Sequence, residues 1–279
     1  MNKLSTVLVH ADRSPRFPQR LALARAIAQS QEASVEALYA AQSAFFEMPF
    51  ALSEGTPMGD LALQMDAERL AQAKALFDRS MAAPGCPVAW SDMSREPVGW
   101  GFVQRAFCAD LVVAGQKEVE AAHARDLPSD FLEHLLLASG KPVLVVPTVG
   151  VEIGVPDRIL LAWSNRRESA AALDAAWPLL QRASHVDVVH WQDDGAPDCA
   201  DARVRLARHL DRKGVSATLH WYGSGVADVG DHLLSLACDL GSDLLVMGCY
   251  GHARTRELLL GGATRTVLRS MTLPVLLAH

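Results

Sequence analysis

The 279-residue sequence has few cysteines, few aromatics and no excess of basic charge, and each shortage excludes a class of protein. Five cysteines without a C-x-x-C pair build neither a disulfide framework nor a zinc finger. They read as reduced, mostly buried small apolar residues, with Cys108 and Cys238 in the core. Lysine and arginine total 26 against 32 acidic residues, a net charge of −6. The balance is 13 against 17 over residues 1–150 and 13 against 15 over 151–279. Neither half is basic, which argues against a nucleic-acid binder. No uncharged apolar run approaches the ~18–20 residues of a membrane helix. The start, Met1-Asn2-Lys3-Leu4-Ser5-Thr6, lacks the apolar core of a signal peptide. A soluble cytoplasmic chain with no membrane partner is expected. Half of the residues are apolar and 21% are charged, which supplies buried cores and excludes a disordered chain.

At roughly 150 residues per domain the length suggests about two domains, and the sequence repeats itself accordingly. Thr6-Val7-Leu8-Val9-His10-Ala11-Asp12 is matched by Arg158-Ile159-Leu160-Leu161-Ala162-Trp163-Ser164. Ser34–Ala40 is matched by His185–Trp191, Ala109–Gly115 by Ser242–Gly248, and Pro142–Pro147 by Pro274–His279. Four segments in one order, twice, indicate a tandem duplication. The junction 148–156 carries Gly150, Gly154 and Pro156, so domains are expected at 1–150 and 154–279. Continuous apolar runs such as Val7-Leu8-Val9 and Leu111-Val112-Val113 have the pattern of strands buried on both faces. They alternate with helix-period stretches such as 20–28 and 67–77. The expected class is α/β: two tandem doubly wound domains, each a five-stranded parallel sheet flanked by about four helices.

In an open parallel sheet, ligands bind beyond the carboxyl ends of the strands. In the second repeat that mouth is the segment Gly248 to Thr264. Gly248 ends a strand, Gly251 follows, and Gly261 and Gly262 open a helix running to about Ser270. Glycines let backbone N–H groups approach a ligand, and a helix start supplies unpaired donors and a positive dipole end. Arg254, Arg256, Arg265 and Arg269 against Glu257 make a local excess of positive charge suited to a polyphosphate. Turn and cap glycines are the plainer alternative.

A strand, G-x2-G-x9-G-G-x-T, a helix and a short Pro-led strand resemble the universal stress protein family over nearly the whole chain. The resemblance implies an adenine-nucleotide-binding-like fold, with ATP and its magnesium as cofactor in the second domain. Gly248, Gly251, Arg254, Gly261, Gly262 and Thr264 would line the phosphates, and Ser164 would stand where the family usually has an Asp at the adenosine end. Gly262 replaces the family's hydroxyl residue after the third glycine, so one side-chain donor is lost. In the first repeat Asp12 keeps the acidic position, but only Gly115 of the glycines remains. Asp130 and Glu133 read there as a capping box that would occupy the helix start and repel phosphate, so no ATP is expected in that repeat. The resemblance also implies pairing of the two repeats, often through their last strands, as an intramolecular pseudo-dimer, with a homodimer open. It implies a stress-response regulator, at most a slow ATPase, with no catalytic residue assigned.

Other chemistry is thin. His190 and His220 end strands and could approach as a metal pair, but a third ligand is missing. Cys249 lies near the arginines, and the stretch 41–60 is too apolar for a free loop, which leaves a short packed helix, a lid or a partner surface. A scaffold of the same fold that binds no nucleotide is the competing function, and an enzyme acting on a substrate phosphate is a third.

Overall fold

The computed structural model describes residues 3–47, 55–94, 96–118, 121, 123–150, 154–192, 200–223, 228–249 and 262–279. Ten strands and eight helices appear among them. In the first repeat they run β1 Thr6–Ala11, α1 Phe17–Gln31, β2 Ser34–Tyr39, α2 Pro57–Met81, β3 Val88–Asp92, α3 Val98–Ala106, β4 Leu111–Gly115, α4 Phe131–Ala138 and β5 Val143–Val146. In the second they run β6 Arg158–Ala162, α5 Arg167–Leu180, β7 His185–Trp191, α6 Ala200–Arg212, β8 Ala217–Tyr222, α7 Val229–Asp239, β9 Leu244–Gly248, α8 Gly262–Ser270 and β10 Val275–Ala278.

The apolar period of each helix selects the face it buries. On α1, Phe17, Leu21, Ala24, Ile27 and Ala28 lie inside, and Glu32 ends the helix in the left-handed region at φ +53°. On α2, Pro57 presets the first turn and the Thr56 hydroxyl accepts from the Gly59 N–H at 3.0 Å. The inner strands are β-branched and leucine-rich because both faces are covered: Val7, Val9, Val112 and Val113 are fully buried.

Leu4–Lys141 forms one compact unit and Pro142–His279 belongs to the other. The first unit holds a four-stranded parallel sheet in the order β3-β2-β1-β4. The second holds β5-β10-β9-β6-β7-β8, parallel except that β5 runs antiparallel to β10, with Leu144 opposite Leu276. Each repeat contributes five strands, as expected, and β5 groups with the second unit through its antiparallel ladder to β10. The turn after it is docked there too. Gly150 has φ +76°, and a side chain on it would come 2.4 Å from the Thr272 carbonyl.

Candidate functional site

The first cleft lies where β1 and β4 end. Arg20, in the first turn of α1, is 3% exposed; its Nη2 donates to Asp12 Oδ1 at 2.7 Å and its Nε to the His10 carbonyl at 3.0 Å. The Ser14 N–H donates to the same Asp12 oxygen at 3.1 Å. Burial pushes the Asp12 carboxyl up, but the Arg20 guanidinium and these hydrogen bonds outweigh it and hold the group below the usual carboxylate value. Asp12, which keeps the acidic position of the family resemblance, is therefore already engaged by its own chain. His10 packs on Phe102 and Phe131 at 5.5 and 5.1 Å between ring centres, with Nε2 2.9 Å from the Ala40 carbonyl. Burial pulls its pKa below the ordinary 6.5 despite the nearby Asp12. It is neutral at pH 7, and Nε2–H donates to Ala40.

The described part of the segment after β4 lines this cleft. Its 3₁₀ turn, Ala124–Asp126, puts a carboxylate that is 2% exposed onto Arg13, which donates through Nε at 2.6 Å and Nη2 at 2.9 Å. Arg69 of α2 is 3.6 Å from Asp126 and donates to Glu47 at 2.6 Å. Burial, with Asp126 close by, pushes the Tyr39 phenol up. Below the turn, Glu118 Oε1 accepts from the Ser14 hydroxyl at 3.2 Å and lies 3.0 Å from His123 Nε2. What remains is a cavity of about 70 Å³.

The expected capping box is not formed. Asp130 has φ −107° and ψ 12°, and its side chain makes no capping bond. A capping carboxylate needs extended backbone at that residue, whereas here the Phe131 N–H turns back to the Pro128 carbonyl at 3.1 Å. Glu133 Oε2 is instead buried without a hydrogen-bond partner.

In the second unit the described parts of the motif are Ser164, Gly248, Gly262 and Thr264; Gly251, Arg254 and Gly261, with Arg256, lie outside the described residues. Ser164 follows β6 and is exposed. The β6–β9 register sets Ala162 beside Met247, so Ser164 and Gly248 occupy neighbouring strand ends. Gly248 packs on α5: a Cβ there would come 2.4 Å from the Glu168 carbonyl carbon and 2.7 Å from the Ser169 nitrogen. Its glycine identity is thus already required by packing. Gly262 is exposed at the start of α8, with open space where a Cβ would stand, and no acidic residue occupies the first turn of that helix. Thr264 is buried in that turn at 4% exposure. The helix is held from beside by Asp228, the N-cap of α7, whose carboxylate accepts from the Thr266 hydroxyl at 3.1 Å. Arg265 and Arg269 are exposed.

The histidines do not make a pair. Val189 is opposite His220 in the register, so His190 points to the other sheet face. His190 Nδ1 lies 2.8 Å from the Trp163 carbonyl, and His220 Nε2 is 2.7 Å from Asp187. Among the described residues no group of three ligands could hold a metal. Cys249 is buried, its thiol donates to the Ala278 carbonyl at 3.3 Å, and burial pushes its pKa up to about 12, which leaves an unreactive thiol. Cys108 and Cys238 are exposed rather than in the core, Cys108 in the turn just past α3 and Cys238 in the last turn of α7. Within 41–60, Ala44–Phe46 forms a 3₁₀ turn tied to α2 through Ser43 and Ala44, both donating to Asp66. Residues 48–54 lie outside the described residues. No described helix is long and apolar enough to cross a membrane.

No family model matches the sequence, and no curated protein is similar to it in sequence. Solved structures are similar in shape. A universal stress protein from Archaeoglobus fulgidus matches 98% of this chain and 95% of its own length at 14% identity, with a TM-score of 0.73. A functionally unknown protein from Pseudomonas aeruginosa matches 99% of this chain and 92% of its own at 15% identity, with a TM-score of 0.55. Over nearly its whole length, the chain has the α/β fold of the universal stress proteins.

Proposed function

We propose that this chain is a regulatory protein whose second unit takes an adenine nucleotide, ATP with its magnesium, while the first unit takes none in that manner. Ser164 stands at the nucleoside end, and Gly248, Gly251, Arg254, Gly261, Gly262 and Thr264 lie along the phosphates. One observation carries this reading. The α8 start is exposed and free of acidic residues, whereas the equivalent α4 start has Asp130 and Glu133 beside a cleft crossed by the Arg20–Asp12 pair. A helix start with open backbone donors favours an anion. Bound nucleotide would hold the loop before α8 in one arrangement and so change partner contacts. With no general base assigned, any hydrolysis would be slow.

Calorimetry with ATP, ADP and AMP on the full chain tests the reading. Gly262→Asp places a carboxylate where phosphate would sit and is expected to abolish ATP binding without lowering the melting temperature. ATP affinity unchanged in that variant would show the site to be misplaced. A parent chain without affinity below about 1 mM, some −4 kcal/mol, would leave the scaffold reading, which the exposed Phe46, Trp100 and Phe107 favour.

A further inference from the structure

The cleft of the first unit has its own chemistry. Asp12, Ser14 and Arg20 on its wall are 7, 2 and 3% exposed, so polar groups are fixed there rather than washed by solvent. At about 10–15 Å³ for each water-sized group, its 70 Å³ holds roughly five. Nucleotide-sized ligands need pockets of about 300 Å³ or more. The enclosed part of an occupant therefore has about five or six heavy atoms.

The charges on the wall show what such an occupant must carry. Asp12 is spent on Arg20 and the Ser14 N–H, and Asp126 on Arg13. Two groups at the end of β4 keep capacity. The Lys117 ammonium has three donors and gives one to the Ser129 carbonyl at 2.7 Å. Glu118 uses only Oε1, on Ser14 and His123, and its Oε2 makes no hydrogen bond to any described residue. Adjacent in sequence, the two residues offer one positive and one negative contact to the same small space. Leu127, Phe131 and Leu132 add apolar lining. A simple anion would leave Glu118 facing it, and a simple amine would leave Lys117 facing it.

We infer that the first-unit cleft binds a small zwitterion, an α-amino acid of the size of glycine or alanine, with its carboxylate on Lys117 and its ammonium on Glu118. The site is separate from the nucleotide reading of the second unit and does not depend on it. Calorimetry and thermal shift on the full chain, with glycine, L-alanine, acetate, ethylamine and inorganic phosphate as probes, test it. Glycine or alanine is expected to bind saturably, and acetate and ethylamine at least about tenfold more weakly, each lacking one charged contact. Lys117→Met, a change at an exposed residue, is expected to weaken glycine and acetate about tenfold or more. Glu118→Gln is expected to weaken glycine while leaving acetate unchanged, with its melting curve checking that the Ser14 and His123 contacts survive. Absence of saturable glycine or alanine binding up to about 50 mM would overturn the inference. So would glycine binding indifferent to Lys117→Met, phosphate binding as tightly as glycine, or displacement of glycine by ATP.

Discussion

At the scale of single residues, the first cleft is defined by groups whose protonation is set by their own chain. His10 and Asp12 both have pKa values held below the ordinary ones, His10 by burial and Asp12 by Arg20 acting against burial. A depressed folded-state pKa gives stability that is complete above the unfolded value and is lost as pH falls. For His10 the loss begins as pH drops through 6.5, and for Asp12 as it drops through 3.8. Urea midpoints are therefore expected to fall between pH 7 and pH 5, before ordinary carboxylates titrate. His10→Gln keeps a donor for the Ala40 carbonyl but cannot charge. It should cost about 1–3 kcal/mol at pH 7 and flatten the slope between pH 7 and 5. An equal slope in that variant would assign the acid sensitivity elsewhere. At Gly248 the controlling term is contact with backbone, which cannot swing aside as a side chain can. Gly248→Ala must displace the first turn of α5 and should destabilise by about 1–3 kcal/mol, as read by the thermal midpoint with and without ATP.

At the scale of elements, the alternation of apolar runs with helical stretches made the strands and helices readable. Periodicity records burial, and burial is what these elements share. It does not record which partner satisfies a polar group, and the misreadings cluster there. Asp130 and Glu133 have capping-box spacing, but the Pro128 turn sets the wrong backbone for a cap. His190 and His220 each end a strand, yet their register puts them on opposite faces. Asp126 carries no local sequence signal because its partners, Arg13 and Arg69, are distant in the chain; only the fold brings them together. Removing one member of a buried ionic cluster leaves uncompensated charge. Asp126→Ala, which takes a buried carboxylate away from Arg13 and the buried Arg69, is expected to cost about 3 kcal/mol and to expose the segment after β4 to proteolysis. A variant that resisted protease as the parent does would show that the turn is held by packing alone.

At the scale of the whole molecule, the duplication is legible in the sequence, but repeats and compact units do not coincide. The sequence break lies in the Gly- and Pro-bearing stretch after Val146, where composition changes. The compact units divide after Lys141, and β5 pairs with β10. Periodicity marks β5 as a strand and cannot name its neighbour, since Val-Leu-Val-Val fits any sheet buried on both faces. Val143, Leu144 and Val145 are completely buried and Val146 nearly so. At about 1.5–3 kcal/mol for each such side chain, losing the strand would cost more than a marginally stable unit commonly has to spare. It would also leave the edge of β10 unpaired and open to association. A fragment spanning 142–279 is therefore expected to unfold cooperatively as a monomer. One spanning 154–279, the boundary that composition suggests, should be less stable and should self-associate. Denaturant titration and light scattering on the two fragments separate these outcomes. Equal stability would mean that the second repeat closes its sheet without β5 and that the antiparallel pair contributes little to either half.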